Sequence, residues 1–220
     1  MNSFINVLLL VFTLPTMLLS IYVGFDLPVE FLRTTTAQLP YLDYGFLGLG
    51  LILFVISIRR SIRRWMGVRM TNQNEKYKWN SKVSAPRKIR VIVYTILESA
   101  VMASLGLAYY YLTPFAWFPS LVMLFFSFEG LLFLIVCHKN LFRIGITSKA
   151  ILVADREVIL IYLSGLRQVS ISQQTVYFDY LENLQLTFPT DCVEEKEREQ
   201  FFNTLKEQVN RDKVLFKNVD

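Results

Sequence analysis

The stretch MLFFSFEGLLFLIVC, residues 123–137, is a run of apolar residues interrupted by one carboxylate, Glu129. A second acid, Glu98, sits in a comparable run, RVIVYTILESAVMASLGLAYYY, residues 90–111. Extended to 115–137 and 89–112, the two runs match what a helix needs to cross a hydrocarbon core of ~30 Å. Of the 220 residues 53% are apolar and only 19% are charged. A soluble domain of similar size carries about a quarter charged residues. The apolar residues concentrate before position 138, which predicts a membrane domain followed by a polar one.

Working outward from these two runs, the sequence predicts four spans. The first is FINVLLLVFTLPTMLLSIYVGF, 4–25, with Pro15 as a site for a kink. It lacks a basic start and a small-residue cleavage pattern, so it reads as a span and not as a secretion signal. The others are 41–58, 89–112 and 115–137, the last two joined by a short turn containing Trp117. Segment 26–43, with Asp26, Glu30, Arg33 and Asp43, carries a net charge of −2, whereas segment 59–90 holds eleven basic residues and one acid. Basic short loops stay in the cytoplasm. Both termini are therefore expected on the cytoplasmic side of a cell inner membrane. The domains read as 1–137, with a basic linker over 59–88, and 138–220.

The basic linker opens RRSIRRWMGVRM. Ile58, Ile62, Trp65, Met66 and Met70 fall at helical spacing, and Arg59, Arg60, Arg63 and Arg64 occupy much of the other side. This predicts a span that turns into an amphipathic helix along the membrane surface, with Arg59, Arg60, Arg63, Arg64, Trp65 and Arg69 facing anionic headgroups. An ordinary stop-transfer signal accounts for the same residues. Nucleic-acid binding is disfavoured, because no recognition fold surrounds the run.

Counted from Ile89 and from His138, Glu98 and Glu129 each lie about nine residues into the bilayer, at ~1.5 Å per residue. Two antiparallel helices would bring them to one depth. Apart from Arg90 at the very start of the third, the spans contain no Lys or Arg, so no internal ion pair is expected and the acids read as protonated groups that glue helices together. A proton- or cation-translocating role for the pair is the competing reading. Small residues support packing: Ser99, Ala103 and Gly106 mark one face, Ala100, Ser104 and Ala108 another, and Ser127 and Gly130 flank Glu129. Gly45, Gly48 and Gly50 add to span two.

After His138 the period changes to two. LFRIGIT, AILVA, VILIYL, QVSIS, TVYFDY and LQLTF read as strands of a half-buried antiparallel meander. Asp191 and Glu194 have capping-box spacing, and EKEREQFFNTLKEQVN follows as a helix with Phe201, Phe202, Leu205 and Val209 on its apolar face. Part of the 71–88 linker is a candidate extra strand. The fold class is thus an α-helical membrane domain of four transmembrane helices plus an antiparallel β domain capped by an α-helix.

The order GITSKAILVADREVILIYLSGLRQVSISQQTVYFDY…LTFP, followed by an acidic amphipathic helix, resembles bacterial PH-like domains, closest to the membrane-tethered, YcxB-like kind. The resemblance covers about residues 141–210. It implies a PH-like half-barrel closed by a C-terminal helix, with LSGLRQVSI as the turn and strand after the central hairpin, and it implies no catalytic residues. In ADREV, Arg156 sits between two acids, which disfavours a phosphoinositide pocket and favours binding of protein or self-association.

The chain lacks a nucleophile elbow, a phosphate loop, a cofactor fingerprint and metal-spaced His/Cys sets. Its single His138 and its cysteines, Cys137 and Cys192, build neither a metal site nor a disulfide framework. The expectation is a non-enzymatic accessory or scaffolding protein without cofactors, self-associating or a subunit of a larger complex. The alternatives are the translocating subunit and an anionic-lipid surface sensor.

Overall fold

The computed structural model describes residues 2–29, 34–36, 39–139, 141–181, 184–209 and 214–217. Glu30, Arg33, Glu182, Asn183 and Asn210 lie outside the described residues. The chain divides into two compact units, residues 1–62 with 94–134, and residues 63–93 with 135–220. Among the described residues, four helices are long and apolar enough to cross a membrane: α1 (Asn2–Gly24), α2 (Leu42–Thr71), α3 (Ala85–Leu112) and α4 (Trp117–His138). This makes the chain a multi-pass membrane protein by length and composition.

The first unit packs Phe46 and Leu53 of α2, Met102 and Tyr109 of α3, and Met123 and Phe126 of α4 into one buried core. Three hydroxyls of α1 are satisfied within the helix, as a hydrocarbon surrounding favours. Thr13, Thr16 and Ser20 on α1 donate to the carbonyls of Leu9, Phe12 and Thr16 at 2.7–2.8 Å. Tyr109 Oη donates to the Thr13 carbonyl at 3.0 Å, tying α3 to α1. After α1 a short hairpin pairs β1 (Pro28–Val29) with β2 (Thr34–Thr35). The turn into α4 places Pro114 at the start of a short 3-10 segment, where its missing N–H costs nothing, and the Thr113 hydroxyl accepts from the Phe115 N–H.

In the second unit all six expected strands form, as β4 (Arg143–Ile146), β5 (Ala150–Ala154), β6 (Val158–Tyr162), β7 (Leu166–Ser172), β8 (Thr175–Tyr180) and β9 (Gln185–Pro189). The 71–88 linker supplies β3 (Trp79–Lys82), which pairs antiparallel with β4. β10 (Leu215–Lys217) joins β7 in parallel. The result is two four-stranded sheets, ordered β3-β4-β5-β6 and β10-β7-β8-β9. Gln173 and Gln174 both hold positive φ, 47° and 62°, which gives the two-residue hairpin turn between β7 and β8 the twist its strands need.

The last helix, α5 (Glu195–Gln208), buries Phe201, Phe202 and Leu205, with Val209 buried just beyond it. An aromatic column runs Trp79–Phe201–Phe188–Phe178, with ring centroids 5.2, 5.9 and 5.7 Å apart. It joins β3 of one sheet, the helix, and β9 and β8 of the other, so α5 closes the core of both sheets. The expected capping box is not made. Glu194, not Asp191, is the N-cap of α5, and no side chain caps it. Asp191 instead sits in a 3-10 turn and pairs with Arg90 at 2.8 Å.

Two expectations about α2 are corrected. The helix does not stop at Ile58 and turn along a surface; it runs unbroken for 30 residues to Thr71, a length of ~45 Å. Two of its four clustered arginines also face inward. Phe46, Gly50, Leu53, Ser57, Arg60, Arg64, Gly67 and Thr71 are buried, recurring every three or four residues. Ile58, Ile62, Trp65, Met66 and Met70 are exposed. The apolar residues point outward and two arginines point in, the arrangement expected where the surroundings are lipid and the interior can hold a countercharge.

Candidate functional site

Arg60 supplies that interior charge. Its guanidinium forms an ion pair with Glu98 of α3, the side chains being 6% and 17% exposed. This overturns the expectation that no internal salt bridge is available. The reason is that α2 carries its buried stripe on to Thr71, past Ile58 where a hydropathy reading stops. The signal was present in the sequence: Arg60 and Arg64 continue the spacing of Leu53 and Ser57.

Around the pair, α3 and α4 approach closely. The Ser127 hydroxyl donates to the Ser99 carbonyl at 2.8 Å, and Ser120 donates to the Gly106 carbonyl at 2.8 Å. A Cβ added to Gly130 would collide with Ser99 Oγ, and one added to Gly106 would meet Leu124 Cγ at 2.8 Å. Both contacts need a residue without a side chain. Glu98 and Glu129 each precede a residue of the Ser99–Gly130 contact, so they lie at one level of the helix pair, and Glu129 is half-buried there.

The other predicted packing residues divide in two. Ala103 is half-buried on the packed face, whereas Ala100 and Ser104 are exposed and Ala108 is half-buried. In α2, Gly50 is closed over by Phe118, but Gly45 and Gly48 have nothing within 4 Å of an added Cβ.

The predicted lipid-facing set also divides. Arg59, Trp65 and Arg69 are exposed and Arg63 is half-buried. Arg60 and Arg64 are instead buried, at 5% and 3% exposure.

A second buried ion pair lies in the β-rich unit. Arg87 Nε and Nη2 both donate to Asp155 Oδ2, at 2.9 and 2.7 Å. Asp155 is therefore not a free acid of the ADREV turn but the anchor for the start of α3. Ser84 donates to the Asp191 carbonyl beside it. Cys192 Sγ lies 4.0 Å from Asp155 Oδ2, and burial followed by this carboxylate pushes the thiol well above its ordinary range. Cys137 and Cys192 are both free and buried. Among the described residues no cluster of His, Cys, Asp and Glu could hold a metal ion.

The polar face of α5 lines a cleft of about 410 Å³ with Ile171 of β7. Glu195, Arg198, Glu199 and Lys206 bring charges of both signs to it. Nothing in the residue pattern marked this cleft, because it depends on β7 and α5 lying side by side. Comparison with protein-family models, with curated proteins and with solved structures finds no match for this chain.

Proposed function

We propose that this chain is an inner-membrane accessory or scaffolding protein, anchored and assembled through its apolar helices, that binds protein through a PH-like cytoplasmic module. The observation that carries the reading is the Arg60–Glu98 pair. An acid that shuttles protons or cations must exchange partners, and a guanidinium at its side opposes that exchange. The same pair serves well as a structural lock, because each charge in a low-dielectric interior is expensive without the other. The tight Ser99–Gly130 approach points in the same direction.

The module reading is supported by the two four-stranded sheets closed by α5. The cytoplasmic placement rests on the basic segment 59–90. Gentle solubilisation followed by identification of co-purifying proteins tests the proposal. Stoichiometric partners or a defined oligomer are expected, and a chain that purifies as a lone monomer sinks it.

A further inference from the structure

Asn72, just past α2, donates to the Leu141 carbonyl at 2.8 Å and to the Val68 carbonyl at 2.7 Å. The Leu141 N–H in turn bonds the Val136 carbonyl of α4 at 3.4 Å. The C-terminal ends of α2 and α4 are thereby joined within the second unit. Arg69 stands one turn before this junction on α2, and His138 and Lys139 stand just before it on α4; all three are exposed. Each of the two strong cations has an exposed apolar residue one turn earlier on its helix, Trp65 before Arg69 and Ile135 before Lys139, at 40% and 52% exposure. Met66 and Met70 widen the apolar surface around Arg69.

Arg69 is not used to cap α2. The Met70 carbonyl accepts from Tyr77 Oη and the Thr71 carbonyl from Asn80 Nδ2, both at 2.9 Å. Among the described residues no ion pair involves Arg69 or Lys139. The sequence holds no acid between Asp43 and Glu75, nor between Glu129 and Asp155. Val158 of β6 packs on Gly67, on the buried side of α2, and Glu157 beside it is itself buried at 4% exposure. That carboxylate is therefore turned away from the face that carries Arg69.

The geometry points to a headgroup site for an anionic phospholipid at the joined ends of α2 and α4, its phosphate between Arg69 and Lys139 and its acyl chains along Trp65 and Ile135. Both helices are long and apolar enough to cross a membrane, so lipid is the neighbour their exposed apolar faces call for. Cations one turn beyond such faces reach the headgroup layer, where anionic lipid attracts them. The site does not depend on the scaffolding reading above.

The test uses the full chain bearing Trp117→Phe, which leaves Trp65 exposed and Trp79 buried as its tryptophans. It is reconstituted in phosphatidylcholine vesicles doped with brominated phosphatidylglycerol or with brominated phosphatidylcholine, whose bromines quench a tryptophan they touch. With two cations at the site, the anionic lipid is expected to reach half-quenching at about one tenth of the density the zwitterionic lipid needs. Arg69→Gln with Lys139→Gln is expected to erase this preference, and Arg69→Lys with Lys139→Arg to keep it. Lys149→Gln with Arg167→Gln removes equal charge from exposed positions elsewhere in the second unit and is expected to leave it intact. Equal quenching by the two lipids overturns the site and leaves the cations to an acidic segment of a protein partner. A preference that survives the Arg69 and Lys139 glutamine pair overturns it, and so does one that the Lys149 and Arg167 pair also removes. Should the Arg69 and Lys139 pair not fold, the single variants decide. Each is expected to lower the preference severalfold, and an undiminished preference in both overturns the site.

Discussion

Arg60 and Glu98 reach each other from α2 and α3 across the interior of the helical unit, with both side chains largely removed from the surroundings. Removing one partner leaves a charge stranded in low dielectric, which costs about 3–5 kcal/mol. Arg60→Met is therefore expected to lower the unfolding midpoint in detergent sharply, and Glu98→Leu likewise. The double variant should recover most of the loss. A double-mutant cycle in thermal denaturation measures the coupling, and additive losses would show that the pair does not act as a unit.

Gly130→Ala places a methyl group against Ser99 Oγ. Overpacking of this kind costs about 1–3 kcal/mol. Gly45→Ala, with open space around it, is expected to change stability by less than about 0.5 kcal/mol. Comparing the two in the same detergent separates steric loss from the general effect of removing a helical glycine. Adding Ser99→Gly to Gly130→Ala should return part of the stability.

In the β-rich unit the two ion pairs at the start of α3 differ in exposure. Asp155 is 3% exposed and Arg87 20%, whereas Arg90 is 56% exposed. Asp155→Ala strands a half-sequestered guanidinium and is expected to cost on the order of 3 kcal/mol. Arg90→Ala breaks a solvent-screened pair and is expected to cost at most about 1 kcal/mol. Urea unfolding of the two variants measures the difference.

Tyr180 donates its hydroxyl to the Tyr162 carbonyl, and burial pushes the phenol up to about 12. The neutral form is the one favoured by folding. Its contribution is complete below the ordinary tyrosine value of about 10 and is lost as pH rises from there towards the folded value. Ultraviolet titration of phenolate in Tyr180→Phe should show one late-ionising tyrosine fewer than in the wild-type chain. The decline in stability over that window should be shallower in the variant.

Much of this architecture was legible in the residues because it is written locally. Val169 and Ile171 alternate with Gln168 and Ser170, and Phe201, Phe202, Leu205 and Val209 recur at helical spacing, so strands and α5 could be placed from neighbours alone. What was not legible depended on distant partners. Asp191 has the spacing of a helix cap, but Arg90, far away in sequence, takes its carboxylate. Arg60 looks like the end of a span until Glu98 is seen opposite it. The α5 cleft has no signature, since charged residues on an amphipathic helix look alike whether they face water or the rim of a groove.

The pairing of β3 with β4 sets an order on biogenesis. Trp79–Lys82 leaves the ribosome well before Arg143–Ile146, and the chain between them holds both α3 and α4. The edge strand must wait, unpaired, until both of these apolar helices have been made. Completion of the first sheet therefore follows synthesis of the helical hairpin, and a chain stalled at α3 would leave β3 as a lone unpaired strand.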